Sequence, residues 1–155
     1  MYSKRNLIVL AVSLIMTISS AYVVMGQDSK PAAGADSKDV WKDSATGLTW
    51  AAKDNGAAVS PNEARNYCTN LRSGGFSDWR MPKIDELEAI YDSKAPKQYK
   101  AKGTIVLTDA CVLSGSTNNS GEVWTFCFNS GSRNLGGGGG CGTSGPALCV
   151  RGPVK

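Results

Sequence analysis

The chain has 155 residues, of which 17 are Lys or Arg, 13 are Asp or Glu, five are Cys and none is His, giving a formal net charge of +4 at pH 7. Without histidine it can form neither a histidine-based catalytic triad nor a Cys/His metal site. It also lacks any Cys-x-x-Cys pair, which argues against zinc binding and thioredoxin-type redox chemistry.

Residues 1–26 have the pattern of an export signal. Lys4 and Arg5 form a positively charged start, residues 7–16 are apolar, and small residues suited to cleavage follow. Left uncut, the segment approaches the roughly 20 residues that span a bilayer and would act as an anchor. Cleavage would leave 15 basic and 13 acidic side chains, a net charge of +2. We therefore expect an exported protein, periplasmic, cell-surface or secreted, and its small net charge gives no reason to expect nucleic-acid binding.

Residues 27–39 are rich in Ala, Gly, Ser, Asp and Lys without apolar periodicity, and we expect a flexible linker there. A single domain is expected at residues 40–155. It begins with a predicted β-hairpin, because two runs rich in Val, Leu, Thr and Trp between residues 40 and 50 flank a loop. That loop ends in Gly47, which can take positive φ.

A first helix is predicted from Ser60. Ser60 is a favourable N-cap, Pro61 suits the first helical position, and Glu63 completes a capping box. Apolar residues recur at helical spacing at Ala64, Tyr67, Cys68 and Leu71. The helix should end at the Ser-Gly-Gly of residues 73–75, with Cys68 pointing inward.

A second helix is predicted at residues 83–91, directly after Pro82. Its apolar stripe is formed by Ile84, Leu87, Ile90 and Tyr91. Asp85, Glu86 and Glu88 lie close together, as acid–base residues often do. They fall on the opposite face of the helix, however, where a solvated polar surface is expected.

Beyond residue 104 the pattern changes to short strands separated by Gly and Asn, predicted at residues 105–107, 111–114, 123–128 and 147–151. The five glycines at residues 136–140 are predicted to form a mobile loop. Such loops often contain binding residues, but the favoured interpretation is a flexible connection without a binding function.

Five cysteines in an exported chain of this size favour a disulfide framework, with one cysteine left over. A hairpin centred near Asn119 would place Cys111 opposite Cys127. The competing pair is Cys127 with Cys141, because a strand register read from sequence can slip by a residue.

Several motifs follow one another in order along the chain. They are Val40-Trp41-Lys42-Asp43, Thr46-Gly47-Leu48-Thr49-Trp50, the first helix with Tyr67 and Cys68, the run Asp78-Trp79-Arg80-Met81-Pro82-Lys83-Ile84-Asp85-Glu86-Leu87, and Cys149-Val150-Arg151-Gly152. This set resembles the Lcl C-terminal-domain family of bacterial exported proteins, over residues 40–152. Lys83 departs from the family, which commonly has Thr or Ser there, and a lysine is a weaker cap at a helix N-terminus.

The resemblance implies an α+β, C-type-lectin-like fold, in which two helices pack on short antiparallel β-strands and disulfides staple the chain. It also implies a bridge between Cys68 of the first helix and Cys149 of the last strand, closing a loop of about 80 residues. If Cys111 and Cys127 pair as well, Cys141 is free and able to link a second chain into a homo-oligomer.

Asp78, Trp79 and Arg80 have residue types common at binding sites. In the family that the chain resembles, they form a structural turn packed beneath the first helix. We therefore interpret them, together with Trp50 of the first hairpin, as determinants of the fold.

No cofactor, metal ion or catalytic centre is expected. The loop signatures of calcium-dependent lectins do not occur, and Asp109 and Glu122 are the only acids after Ile105, too few for the several oxygen ligands that calcium needs. The same fold houses formylglycine-generating oxidases with two reactive cysteines late in the chain, but the sequence around Cys141 and Cys149 does not match theirs. The protein is therefore interpreted as not an enzyme.

A local basic stretch is the candidate binding site. It contains Lys94, Lys97, Tyr99, Lys100 and Lys102 and no acid. Such a patch can neutralise the sulfates or carboxylates of an acidic polysaccharide or glycosaminoglycan, and Arg133 would extend it. The resemblance points the same way, because the family's namesake domain binds sulfated glycosaminoglycans. The alternative is a solvated loop without a ligand, and in both cases replacing the four lysines by serine should leave the melting temperature nearly unchanged.

Two functions from different classes follow. The first is an exported, non-enzymatic binding module for adhesion-like recognition of acidic or sulfated glycans without calcium. The second is a protein–protein interaction or structural domain of the bacterial envelope, with envelope proteins as partners and no glycan ligand. A third interpretation is a hypervariable binding scaffold, since lectin-like folds also serve as displayed variable receptors.

Overall fold

The structure is a computed structural model that describes residues 38–136 and 143–153. Its elements are β1 (Val40–Lys42), β2 (Thr49–Ala51), α1 (Pro61–Asn70), α2 (Ile84–Ala89), β3 (Cys111–Thr117), β4 (Val123–Cys127), β5 (Ser132–Leu135) and β6 (Val150–Arg151). The strands form two antiparallel three-stranded sheets, in the orders β1-β2-β6 and β3-β4-β5. The predicted α+β class is thus confirmed. The expected export signal lies outside the described residues, among which no helix is long and apolar enough to cross a membrane.

In the first sheet β2 is the central strand, between β1 and β6. Its pairing with β1 is the β-hairpin predicted between residues 40 and 50. Trp50 of β2 is fully buried and lies opposite Val150 of β6. Asp43 shapes the hairpin loop, because its carboxylate accepts a hydrogen bond from the Thr46 hydroxyl at 2.6 Å. Gly47 completes the loop with a φ of 76°, a conformation that favours glycine.

Helix α1 begins as its capping box predicts. The Ser60 N–H donates to the Glu63 carboxylate at 2.8 Å, and the Glu63 N–H donates back to the Ser60 hydroxyl. Cys68 is fully buried on the inner face. The helix ends before residues 73–75, where the sequence predicted its stop, because Leu71 already has an extended backbone.

Helix α2 is shorter than the predicted residues 83–91. After Ala89 the chain turns to pair with a later segment: the Lys102 N–H donates to the Ile90 carbonyl at 2.8 Å, and Tyr91 forms a β-bridge with Ala101. This tertiary pairing satisfies backbone groups that a longer helix would have used.

The prediction that Glu86 lies on a solvated face is wrong. Glu86 is 7 % exposed, whereas Asp85 and Glu88 are exposed as expected. The reason is Arg80, whose two terminal nitrogens each donate to a Glu86 carboxylate oxygen at 2.7 Å. A bidentate charged partner compensates the burial of the carboxylate.

The second sheet confirms the predicted hairpin near Asn119 and adds a strand. Cys111 lies opposite Cys127 in the β3–β4 register. The sequence did not predict β5, because residues 132–135 carry little apolar alternation and pair with β4 through backbone groups.

Two strand predictions are wrong or only partly right. The predicted strand at 105–107 is reduced to one bridge between Val106 and Lys53, although its flanking apolar residues are buried. Of the predicted strand at 147–151, only Val150–Arg151 is regular. In these segments the apolar pattern therefore predicted which side chains are buried, but it did not predict whether the backbone pairs as a regular strand.

The buried apolar side chains form two clusters. One includes Trp50, Leu87 of α2 and Phe126 of β4, and so joins α2 to both sheets. The other places Trp79 with Cys68, and so packs the turn that precedes α2 against α1. Together the two clusters include residues of both helices and both sheets.

Two disulfides close the fold. Cys68 is bonded to Cys149 with a Cα–Cα distance of 5.4 Å, and Cys111 is bonded to Cys127 across the β3–β4 hairpin. The competing Cys127–Cys141 pair is therefore wrong. Cys141 itself lies outside the described residues, none of whose cysteines is free.

Candidate functional site

The lysine loop, residues 94–102, is part of the segment between α2 and β3 and contains no helix or strand. A segment of this kind leaves backbone carbonyls that no helix or sheet satisfies. An ammonium group offers three N–H donors for such carbonyls. Three of the loop's four lysines, Lys97, Lys100 and Lys102, are used in this way.

Lys97 is the clearest example. Its Nζ donates to the carbonyls of Ala101, Gly103 and Ile105, at 3.3, 2.6 and 3.0 Å. All three donors of the ammonium are thereby used within the protein. Burial lowers the pKa of Lys97, as expected for an ammonium taken partly out of water.

The other lysines of the loop differ in how far they are engaged. The Nζ of Lys100 donates to the Ala95 carbonyl at 2.9 Å, and that of Lys102 donates to the Ala89 carbonyl at 2.7 Å. Lys94 is exposed, and its ammonium forms no hydrogen bond with the other residues of the lysine loop. The four lysines of the predicted basic stretch are therefore not equivalent, because three of them donate to backbone carbonyls.

Arg133 does not extend the basic stretch with an unpaired charge, and Tyr99, which was predicted to contribute to the binding site, is partly buried. Tyr99 is half-buried and packs against the core. Arg133 lies in β5 and pairs with Asp85 at 2.7 Å and with Glu88 of α2. The hydrogen bond to Glu88 is the main cause that raises the pKa of Arg133, so its charge is balanced within the protein.

We predict that Lys97→Met lowers the free energy of unfolding by about 1–2 kcal/mol, because three carbonyls in a partly buried loop lose their donor. Lys94→Met is the matched control and should change stability by less than about 0.5 kcal/mol, as exposed substitutions usually do. Urea denaturation of the two variants measures the difference. Equal stabilities would show that the Lys97 hydrogen bonds contribute nothing.

The turn before α2 carries structural contacts rather than a free binding surface. Asp78 accepts two hydrogen bonds from Arg151 of β6, at 2.7 and 3.0 Å. Arg151 also lies 3.8 Å over the Phe76 ring. The Arg151 hydrogen bond lowers the pKa of Asp78. These contacts tie the turn to the last strand.

A second candidate site, which we call the sheet cleft, lies between the start of α1, the β3–β4 hairpin and residues 143–144. It has a volume of about 370 Å³. Leu113 and Thr125, 1 % and 2 % exposed, line it at the sheet, and Glu122 lines it from the hairpin turn. Sequence patterns gave no signal for it, because three segments far apart in the chain meet there.

The described residues contain no group of three or more His, Cys, Asp or Glu side chains placed to hold a metal ion. The two candidate sites therefore offer different chemistry: cations on the lysine loop, and one carboxylate with hydroxyl and apolar groups in the sheet cleft.

Comparison with known proteins gives one match. The model of the Lcl C-terminal domain matches residues 39–151, which is most of the chain. No curated protein and no solved structure matches the chain. The C-type-lectin-like topology therefore stays a prediction from the resemblance, whereas the family is shown. The chain belongs to the Lcl C-terminal-domain family.

Proposed function

We propose that this protein is an exported, non-enzymatic recognition module that binds acidic or sulfated glycans through the lysine loop, without calcium. Two findings support export and recognition: the match to the Lcl C-terminal domain, and two disulfides, which persist in oxidising compartments. The glycan specificity rests on the charge of the loop.

The observation that carries the proposal is the difference between three arginines and the loop lysines. Arg80, Arg133 and Arg151 all pair with carboxylates. Among the described residues, the lysines at 94–102 make no salt bridge, and the hydrogen bonds of their ammonium groups go to neutral carbonyls. The loop thus keeps its positive charge, whereas the charges of these three arginines are balanced.

The lysine loop also keeps N–H donors for a ligand. Lys100 and Lys102 each use one of three donors on a carbonyl, and Lys94 uses none in the loop. Lys97 has none left and acts as a scaffold that holds residues 101–105 in place. A loop ordered before binding loses less conformational freedom when the ligand arrives.

The surface gives less support to a protein–protein interface. Among the described residues, Val106 is the only exposed large hydrophobic residue, at 54 %. Stable interfaces usually need an apolar or aromatic centre. The envelope-interaction alternative would therefore depend on a small or polar contact.

We predict that Lys94→Glu weakens binding to immobilised heparin by about fivefold or more, because each exposed charge contributes up to about 1 kcal/mol and reversal changes two charges. Lys42→Glu on the exposed side of β1 is the control, with the same change in net charge. Salt elution from a heparin column measures the effect, and a neutral-sugar column should retain neither protein.

Two results would contradict the proposal. If the parent protein flows through heparin at low salt, the loop has no affinity for sulfated glycans and the interaction-domain alternative becomes the better one. If Lys94→Glu and Lys42→Glu elute together below the parent, retention reflects net charge rather than the lysine loop.

A further inference from the structure

The sheet cleft differs in polarity from the lysine loop and is a separate feature of the fold. Its volume of about 370 Å³ falls within the range of small-ligand sites, which begins at roughly 300 Å³. Leu113 and Val123 give it an apolar side, and both come from the same face of the β3–β4 hairpin. No lysine or arginine of the described residues lines it.

Among the described residues, Glu122 is the only charged group that lines the cleft, and its carboxylate is held by a hydrogen bond. Its Oε2 accepts a hydrogen bond from the Asn118 side-chain amide at 2.7 Å, and its N–H donates to Asn118 Oδ1 at 2.9 Å. Its Oε1 lies over Gly136, where a Cβ would come within 2.5 Å of it. None of the described basic side chains forms a salt bridge with Glu122.

Thr125 supplies a second polar group inside the cleft. It is 2 % exposed, yet its hydroxyl reaches only the Asn134 carbonyl at 3.5 Å. That distance exceeds the usual range for a hydroxyl hydrogen bond, which ends near about 3.0 Å. This buried hydroxyl keeps acceptor lone pairs that no described group uses.

The start of α1 does not make the cleft an anion site. Helix N-termini attract anions through free N–H groups. Here Pro61 has no N–H, and the Ser60 and Glu63 N–H groups are bonded within the capping box. The Glu63 carboxylate also accepts the Ser60 hydroxyl at 2.7 Å. The remaining charge preference of the cleft is set by Glu122.

We infer that the sheet cleft binds a primary alkylammonium group, with the ammonium on Glu122 and Thr125 and the methylene stem against Leu113 and Val123. A lysine side chain of a peptide and a free diamine share this chemistry. The inference is independent of the lysine loop, because it concerns a different surface and the opposite charge.

The test is a two-dimensional NMR titration of the folded protein with two probes, Nα-acetyl-lysine methylamide for the peptide source and cadaverine for the free amine. We expect saturable shifts of the Leu113, Val123 and Thr125 methyl signals with a millimolar dissociation constant, about 1–10 mM. The neutral probe, in which the lysine side chain is also acetylated, should bind at least about fivefold more weakly, as loss of one exposed charge pair predicts.

Two variants and one control make the test specific. Glu122→Gln keeps an oxygen for the Asn118 amide and should weaken amine binding by about fivefold or more. Thr125→Val removes an ill-partnered hydroxyl, so it should fold normally and also bind more weakly. Asp109→Asn, an exposed acid outside the cleft, should bind as the parent does.

The inference is overturned if neither amine gives saturable shifts at these methyl groups. It is equally overturned if the neutral probe binds as well as the charged one, or if Glu122→Gln binds cadaverine with the affinity of the parent. Binding of one amine but not the other supports the inference and identifies the source of the ligand.

Discussion

Replacing both Cys68 and Cys149 by alanine is expected to lower the free energy of unfolding by about 4–5 kcal/mol in the loop-entropy model. The bridge joins residues 81 positions apart, so it constrains most of the unfolded domain. Both cysteines are fully buried between α1 and β6, where the smaller side chains also leave a void. Chemical denaturation under non-reducing conditions measures the loss.

The second disulfide provides the comparison. Cys111 and Cys127 are only 16 positions apart, so their double alanine variant should lose about 3 kcal/mol, less than the first pair. If the Cys111–Cys127 variant proves the less stable of the two, native packing around the hairpin outweighs chain entropy. In that case the long-range closure is not the main support of the fold.

Local chemistry made some elements predictable from sequence. The capping box of Ser60 and Glu63 marked the start of α1, and apolar spacing oriented Cys68 inward. The centre of a short hairpin likewise placed Cys111 opposite Cys127. In each case the residues that decide the structure lie within a few positions of one another, or are related by a simple hairpin.

Other features depended on partners that no local pattern specifies. Helical periodicity assigned Glu86 to the solvated face, but Arg80 binds it beneath α2. Lys97 looked like a surface charge, because a lysine that bonds backbone carbonyls has the same sequence signature as one in water. The sheet cleft exists only after α1, the β3–β4 hairpin and residues 143–144 come together.

The lysine loop shows how one residue type divides between two roles. The sequence-based expectation that replacing four lysines by serine leaves the melting temperature nearly unchanged did not include the hydrogen bonds that the ammonium groups of Lys97, Lys100 and Lys102 donate to carbonyls. We now expect the quadruple variant to be less stable than the parent. Charge and stability therefore change together in that quadruple variant. A substitution at Lys94 changes the charge of the loop without removing a hydrogen bond to a carbonyl. For that reason Lys94 is the residue substituted in the heparin experiment.

Replacing Arg80 by methionine is expected to lower the free energy of unfolding by about 3 kcal/mol at pH 7, because the buried Glu86 carboxylate loses its bidentate cationic partner and keeps the Lys83 N–H at 2.8 Å as a donor. The Glu86 side chain is 8 % exposed and that of Arg80 is 25 % exposed, which places the effect at the lower end for buried pairs. Arg80 Nη2 also reaches the Gly152 carbonyl at 3.4 Å, so the substitution loosens the contact of the turn with the C-terminal segment.

The loss should depend on pH in a defined direction. Burial alone would raise the pKa of Glu86, but hydrogen bonds from Arg80 and from the Lys83 N–H outweigh it and lower the pKa below its ordinary value of 4.5. A carboxyl with a lowered native pKa stabilises the protein above its unfolded pKa, and this stabilisation is lost as the pH falls through the native pKa. The parent should therefore lose stability below about pH 4 through this group.

Arg80→Met weakens that dependence, because it removes the Arg80 hydrogen bonds and charge that lower the pKa of Glu86, so the pKa of Glu86 rises relative to the parent. The parent loses this stabilisation as Glu86 is protonated and the variant has less of it to lose, so the stability difference between parent and variant should shrink from pH 7 to pH 3. Glu86→Gln is the control, since it removes the titrating group and should flatten this part of the pH profile. Urea unfolding at both pH values decides the matter: a stability difference that stays constant would show that Arg80 acts through packing and not through the Glu86 charge.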